Sequence, residues 1–139
     1  MKKINILFVC RGNRRRSRLA EAYFKKVNKN KNIKVESAGL FRGQPLLKKD
    51  ILAAKRVGLN INRKPKEIST DLLAWQNITV IVANDVPKAT FNESIKRGKK
   101  VIKWKISDEN IKTNEDYQKL VSKIQKKVDK LIKKLEKSK

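Results

Sequence analysis

The chain has 139 residues, 39% hydrophobic and 36% charged, with 37 lysines and arginines against 13 acids and a formal net charge of +24. That length suits one domain, expected over residues 1–139, and the apolar content is too high for a disordered chain. One cysteine excludes an internal disulfide and any multi-cysteine zinc site, and the absence of histidine excludes Ser-His and Cys-His pairs, so any nucleophile must be activated electrostatically.

No apolar run approaches the roughly 20 residues a membrane span needs. The charge attracts polyanions, nucleic acid among them, with an affinity that falls in salt. The plainer reading of the same charge is a lysine-filled, soluble surface. Met1-Lys2-Lys3 and the run Ile4-Asn5-Ile6-Leu7-Phe8-Val9 are too short for a signal peptide and lead straight into Cys10 and Gly12. They read as a buried first strand in a cytoplasmic protein.

Strand and helix signals then alternate. A helix from about Ser17 carries Leu19, Ala20, Tyr23, Phe24 and Val27 on one face, and Ile33 and Val35 open a second strand that ends at Ser37-Ala38-Gly39. Leu46 to Val57 form a helix stopped by Gly58, and Leu72, Leu73 and Trp75 a short one. The β-branched run Ile78 to Val82, with Ala83, is a third strand. Pro87 opens a helix that turns Phe91 and Ile95 inward, and Val101, Ile102 and Trp104 make the fourth strand. From about Asn114, Tyr117, Leu120, Val121, Ile124, Val128, Leu131, Ile132 and Leu135 keep helical spacing. This order predicts an α/β fold, a three-layer α/β/α domain around a four-stranded parallel sheet. Ligands bind such sheets at the carboxyl ends of the strands, where Cys10 stands.

The informative string runs from Val9 to Glu21, with Cys10, Arg11, Gly12, Asn13, Arg14, Arg15, Arg16, Ser17 and Arg18 between a strand and a helix. Loop amides can form an anion nest, and the helix N-terminus adds partial positive charge. The same dipoles favour a thiolate at Cys10 without a base. Gly12 would let the backbone turn and come close to a phosphate. Arg16 can grip two phosphate oxygens with its planar fork, and Ser17 can donate a hydrogen bond to the thiolate. The bland alternatives are a small buried cysteine and a basic patch on a nucleic-acid backbone. Strand, glycine-asparagine loop and Arg-Ser helix start favour the phosphate loop.

Val9-Cys10-x-Gly12-Asn13-x-x-Arg16-Ser17 followed by Ala20-Glu21 resembles the signature of the low-molecular-weight protein tyrosine phosphatases. Val35-Glu36-Ser37-Ala38-Gly39, Gly43-Gln44-Pro45, Gly58-Leu59-Asn60-Ile61 and Trp104 to Asp108 are similar to later landmarks in the right order, so the resemblance spans nearly the whole chain. It implies a metal-free, cofactor-free phosphatase with Cys10 as nucleophile, Arg16 as clamp and Asp108 as general acid. Arg11, Gly12, Asn13, Arg14, Arg15 and Ser17 would contact substrate, and Asn13 would hold the loop's shape, with Ser37 as a candidate partner. The expected substrate is a phosphorylated protein, phosphotyrosine foremost, in an acidic context favoured by Arg11, Arg14, Arg15 and Arg18 at the rim. The chain is expected to act as a monomer, away from membranes, with non-specific nucleic-acid binding through its charge.

Four departures from the family stand out. Glu109 follows Asp108 where the family has proline, which loosens the acid loop and leaves Glu109 as the fallback acid, while Asp85 reads as structural. Aromatic residues just after the acid are missing, and Phe41 would supply one pocket wall in a loop, Ser37 to Gly43, that looks shortened. Arg15 replaces the second loop cysteine, and with no further cysteine the thioredoxin-coupled arsenate reductase reaction of some relatives is not expected. Arg14 stands where arginine-phosphate-specific relatives carry threonine. The alternative is a phosphate- or polyanion-binding module that has lost efficient turnover.

Overall fold

In the computed structural model, which describes residues 2–61 and 64–137, the first apolar run from Ile4 becomes β1 (Ile4–Cys10), while Met1 lies outside the described residues. The order continues through α1 (Arg16–Val27), β2 (Ile33–Gly39), α2 (Lys48–Arg56), α3 (Thr70–Trp75) and β3 (Ile78–Val82). A 3-10 turn (Lys88–Phe91), α4 (Asn92–Lys96), β4 (Lys100–Trp104) and α5 (Asn114–Lys137) follow. The four strands are parallel in the order β2-β1-β3-β4. The expected α/β architecture is the one observed.

Side chains alternate across a strand, and here both faces are apolar because both are covered. Ile6 and Phe8 of β1, Val80 and Val82 of β3 and Trp104 of β4 pack with Leu19 and Phe24 of α1, Ala54 of α2 and the stripe Tyr117, Leu120, Val121, Ile124 and Val128 of α5. Leu7, Val9, Ile81 and Val101 pack on the other side with Val86, Phe91 and the partly buried Leu72 and Leu73 of α3. Phe8 meets Phe24 and Trp104 with ring centroids 6.0 Å apart in each pair. At the start of α5, Asp116 accepts from the amides of Lys112 and Thr113 while Thr113 Oγ1 accepts from the Asp116 amide, a reciprocal cap that stops the helix from fraying towards the preceding loop. Those bonds hold the Asp116 carboxyl below its ordinary range.

Ile95 departs from the inward placement expected of it and is exposed. The face of α4 turned to the interior is instead that of Ser94, which is buried and accepts from Gln76 Nε2 at 3.3 Å. Because β2 and β3 lie on opposite sides of β1, the strand order reverses direction at β1, and Cys10 ends β1 at that switch point.

Candidate active site

The loop from Cys10 to Arg16 is shaped by the chain that wraps it. Leu40, Phe41 and Gly43 donate their amides to the carbonyls of Cys10, Arg11 and Gly12 at 3.2, 3.3 and 3.0 Å. In a trans peptide the N–H opposes the C=O, so drawing those three carbonyls outward turns the amides of Arg11, Gly12 and Asn13 into the concave side of the loop. Gly43 makes the wrap possible: a Cβ there would lie 2.5 Å from the Gly12 oxygen. Gly12 lies in the bend of the loop without needing a left-handed φ. The positive φ, 55°, falls at Asn13, a residue type that tolerates the left-handed region.

Asn13 is fully buried and uses both ends of its amide. Oδ1 accepts from the Lys66 backbone N–H at 3.0 Å, which fixes the amide's orientation, and Nδ2 donates to Ser17 Oγ at 2.8 Å and Ser37 Oγ at 2.9 Å. Ser37 in turn donates to the Glu21 carboxylate at 2.6 Å. Ser17 Oγ lies 3.0 Å from Cys10 Sγ. The proton order follows from these partners. Asn13 can only donate to Ser17, so the Ser17 hydroxyl hydrogen is free to be given to the sulfur when Cys10 is a thiolate. Cys10 is buried, and the α1 N-terminus behind it has no side-chain cap, leaving first-turn amides available to an anion.

Arg16, only 4% exposed, reaches across the mouth of the loop to the ends of β3 and β4. Nη1 donates to Asn84 Oδ1 at 3.1 Å and to the Ile106 carbonyl at 2.9 Å, while Nη2 pairs with Asp85 at 3.1 Å. Nε lies 3.5 Å from Asp108 Oδ1 and is buried without a hydrogen bond, an orphan donor beside the loop. Asp108 is therefore brought to the clamp, whereas Glu109 is exposed and its amide donates to Ser107 Oγ. Asp85 holds Arg16, in keeping with the structural role expected of it.

The other arginines divide. Arg11 is exposed and stacks its guanidinium 5.7 Å from the Phe41 ring centroid at the rim. Arg14 Nη2 and Arg15 Nε turn to Asp50 at 4.0 and 3.3 Å, and Arg15 Nη1 also stands 3.8 Å from Asp108 Oδ2. Arg18 is not at the rim: it is buried and Nη2 donates to the Ile61 carbonyl at 2.6 Å. Its position on the inward side of α1, beside buried Leu19 and Glu21, and not its place in a basic run, decides where it points. Sequence reasoning missed Asn84 and Asp50. Asp50 reads as an ordinary first-turn aspartate of α2, and only the folded chain sets it against the loop. Among the described residues no cluster of three or more His, Cys, Asp or Glu could hold a metal, and no helix is long and apolar enough to cross a membrane.

A buried thiol at the end of a strand, a loop whose carbonyls are bonded on one side and an arginine beside it could together receive an oxyanion. The low molecular weight phosphotyrosine protein phosphatase family matches residues 5–139, and the chain belongs to it. No curated protein matches the sequence. Among solved structures, a protein tyrosine phosphatase from Entamoeba histolytica is 21% identical, with a TM-score of 0.83, 98% of this chain and 99% of that one covered. The YwlE arginine phosphatase from Geobacillus stearothermophilus is 21% identical, with a TM-score of 0.80 and coverage of 97% and 94%. An arsenate reductase from Archaeoglobus fulgidus is 25% identical, with a TM-score of 0.70 and coverage of 91% and 98%. One fold thus serves proteins with three different names for their chemistry, and the substrate must be argued from the site.

Proposed function

We propose that the chain hydrolyses phosphomonoesters, protein phosphotyrosine foremost, through a phosphocysteine intermediate. The observation that carries this is the contact chain from Asn13 Nδ2 to Ser17 Oγ to Cys10 Sγ, at 2.8 and 3.0 Å, in which the Ser17 hydroxyl is free to donate to the sulfur and so to stabilise it as an anion when it attacks and again when it leaves. In the first step Cys10 Sγ bonds to phosphorus, the P–O ester bond breaks, and Asp108 gives its proton to the departing phenolate oxygen. In the second, water attacks phosphorus, the S–P bond breaks, and the Asp108 carboxylate takes the water proton as inorganic phosphate forms. Loop amides and the Arg16 Nε hold the equatorial oxygens, whose charge grows in the transition state. Exposed Phe41 beside the loop supplies an aryl wall, and Arg11 favours an acidic neighbour in the substrate. A lone nucleophilic thiol suits a reducing compartment such as the cytoplasm.

The test is hydrolysis of an aryl phosphate. Wild type should turn over, Cys10→Ser should not, and Asp108→Asn should lose about 10²–10⁴-fold on a poor leaving group, the usual share of a general acid. Equal, negligible rates for wild type and Cys10→Ser would defeat the reading. A second reading, polyanion binding, draws on α5. Lys119, Lys123, Lys126, Lys130, Lys133 and Lys137 are exposed and fall within about 80° of the helix circumference along roughly 27 Å.

A further inference from the structure

Two departures from the family pattern, an arginine for the second loop cysteine and the missing proline after the acid, meet in space. Asp108 sits on the connection between β4 and α5, and residues 105–113 contain no proline to stiffen it. What faces it is a pair of guanidinium groups, whose N–H edges can meet the carboxyl in either protonation state. Arg15, 19% exposed along its side chain, places Nε 3.3 Å from Asp50 Oδ1 and Nη1 3.8 Å from Asp108 Oδ2. Asp50 is a firm anchor: it is 4% exposed, lies in the first turn of α2, and its carbonyl accepts a weak bond from the buried Tyr117 hydroxyl of α5 at 3.5 Å. Arg14 adds a second guanidinium 4.0 Å from the other Asp50 oxygen.

We propose that Arg15, held by Asp50, is a positioning residue that aims the Asp108 carboxyl at the leaving-group oxygen, an inference that rests on the hydrolase reading above. The guanidinium is planar and forked, so one edge can stay on Asp50 while the far nitrogen restrains Asp108. Asp108 Oδ2 stands 3.8 Å from Arg15 Nη1 and Oδ1 3.5 Å from Arg16 Nε, so the carboxyl lies between two guanidinium groups that limit where it can point. Arg15 itself exchanges no proton. Its contribution is to narrow the directions in which Asp108 delivers one, and orientation of this kind is a recognised share of catalytic rate. The device does without a second loop cysteine, so Arg15 serves the acid where a thiol would have served redox protection.

The experiment compares kcat/KM for 4-nitrophenyl phosphate, whose leaving group needs little protonation, with phenyl phosphate, whose leaving group needs much. Arg15→Met should lower the phenyl value about tenfold more than the nitrophenyl value, part of the range a general acid supplies. In an Asp108→Asn background the same substitution should leave the ratio where Asp108→Asn alone puts it, because no acid remains to aim. Arg15→Met leaves Asp50 buried with one distant partner, so Arg15→Met/Asp50→Asn, which removes that charge, should give the same tenfold change if the single variant does not fold. Equal losses on both substrates in every folded variant, with wild type active, overturn the tether and leave the hydrolase reading standing. No turnover of either ester by wild type overturns the hydrolase reading, and the tether with it.

Discussion

Replacing Asn13 by alanine removes three hydrogen bonds and forces an unsuitable backbone at once. Ser17 and Ser37 keep their own acceptors, Cys10 and Glu21, so each loses only an incoming bond, about 0.5–1 kcal/mol apiece. The part-buried Lys66 amide is left with no partner, about 1 kcal/mol more. Alanine must also hold φ at 55°, at a cost of about 1 kcal/mol to a residue with a Cβ. The sum, about 3–4 kcal/mol, is a large share of the 5–15 kcal/mol that keeps an ordinary domain folded. Asn13→Gly loses the same bonds without the strain and should be more stable than alanine by about 0.5–1 kcal/mol, net of glycine's greater freedom when unfolded. Urea unfolding followed by tryptophan fluorescence gives both values. An alanine variant within 1 kcal/mol of wild type, or a glycine variant less stable than alanine, would refute the account of Asn13 as the knot that ties loop, helix and β2 together.

Three further outcomes are expected. Gly43→Ala drives a Cβ to within 2.5 Å of the Gly12 oxygen, so the wrap must open; turnover should fall by an order of magnitude or more while circular dichroism keeps its helical signal. Tyr117 is pushed well above its ordinary 10, first by burial and then by the Asp50 charge, so the folded state holds that proton more tightly than the unfolded one. The stability this provides is complete below about pH 10 and declines as pH rises beyond it; the Tyr117 tyrosinate band should emerge only with unfolding, and its emergence at pH 10 in the folded protein would contradict the burial argument. Duplex DNA should bind with log K falling against log salt with a slope of about −5 if the six-lysine face engages six phosphates. Lys119→Gln/Lys126→Gln/Lys133→Gln should reduce that slope by about 3, and a slope unchanged by the triple substitution would remove α5 as the contact face.

β1 and the loop from Cys10 to Arg16 between strand and helix were legible because they need little tertiary information. Ile4 to Val9 is apolar on both faces, which only a covered strand requires, and a thiol, a glycine-asparagine pair and an Arg-Ser helix start have few other reasons to occur together. The α5 stripe was legible for the same reason, since helical period and burial coincide along it. Arg18 was not. An arginine in a basic run reads as solvated, and the Ile61 carbonyl that accepts from its guanidinium is 43 residues away. Asp50 was hidden in the same manner. Its sequence context is a helix start, and its partners Arg14 and Arg15 reach it only after the α2 end folds over the loop.

The loop's charges explain how so basic a chain can carry five arginines in eight residues without scattering them. Arg18 is bound by a carbonyl, Arg14 and Arg15 share Asp50, and Arg15 and Arg16 share Asp108 while Asp85 takes the far end of Arg16. Arg11 is the member whose guanidinium stays at the surface, resting on Phe41. On the hydrolase reading proposed above, a phosphate entering the loop would meet one rim arginine and an Arg16 already braced by neutral and acidic partners, so little side-chain ordering would remain to be done on binding. The contact interactions are short and partly buried, hence weakly screened, whereas the +24 surface acts over distances that salt shortens to about 8–10 Å. On the hydrolase reading, raising salt should therefore slow capture of an acidic phosphopeptide far more than it slows the chemical steps once the phosphate is seated, because Arg16 is buried and braced by Asn84, Ile106 and Asp85, where the medium screens little.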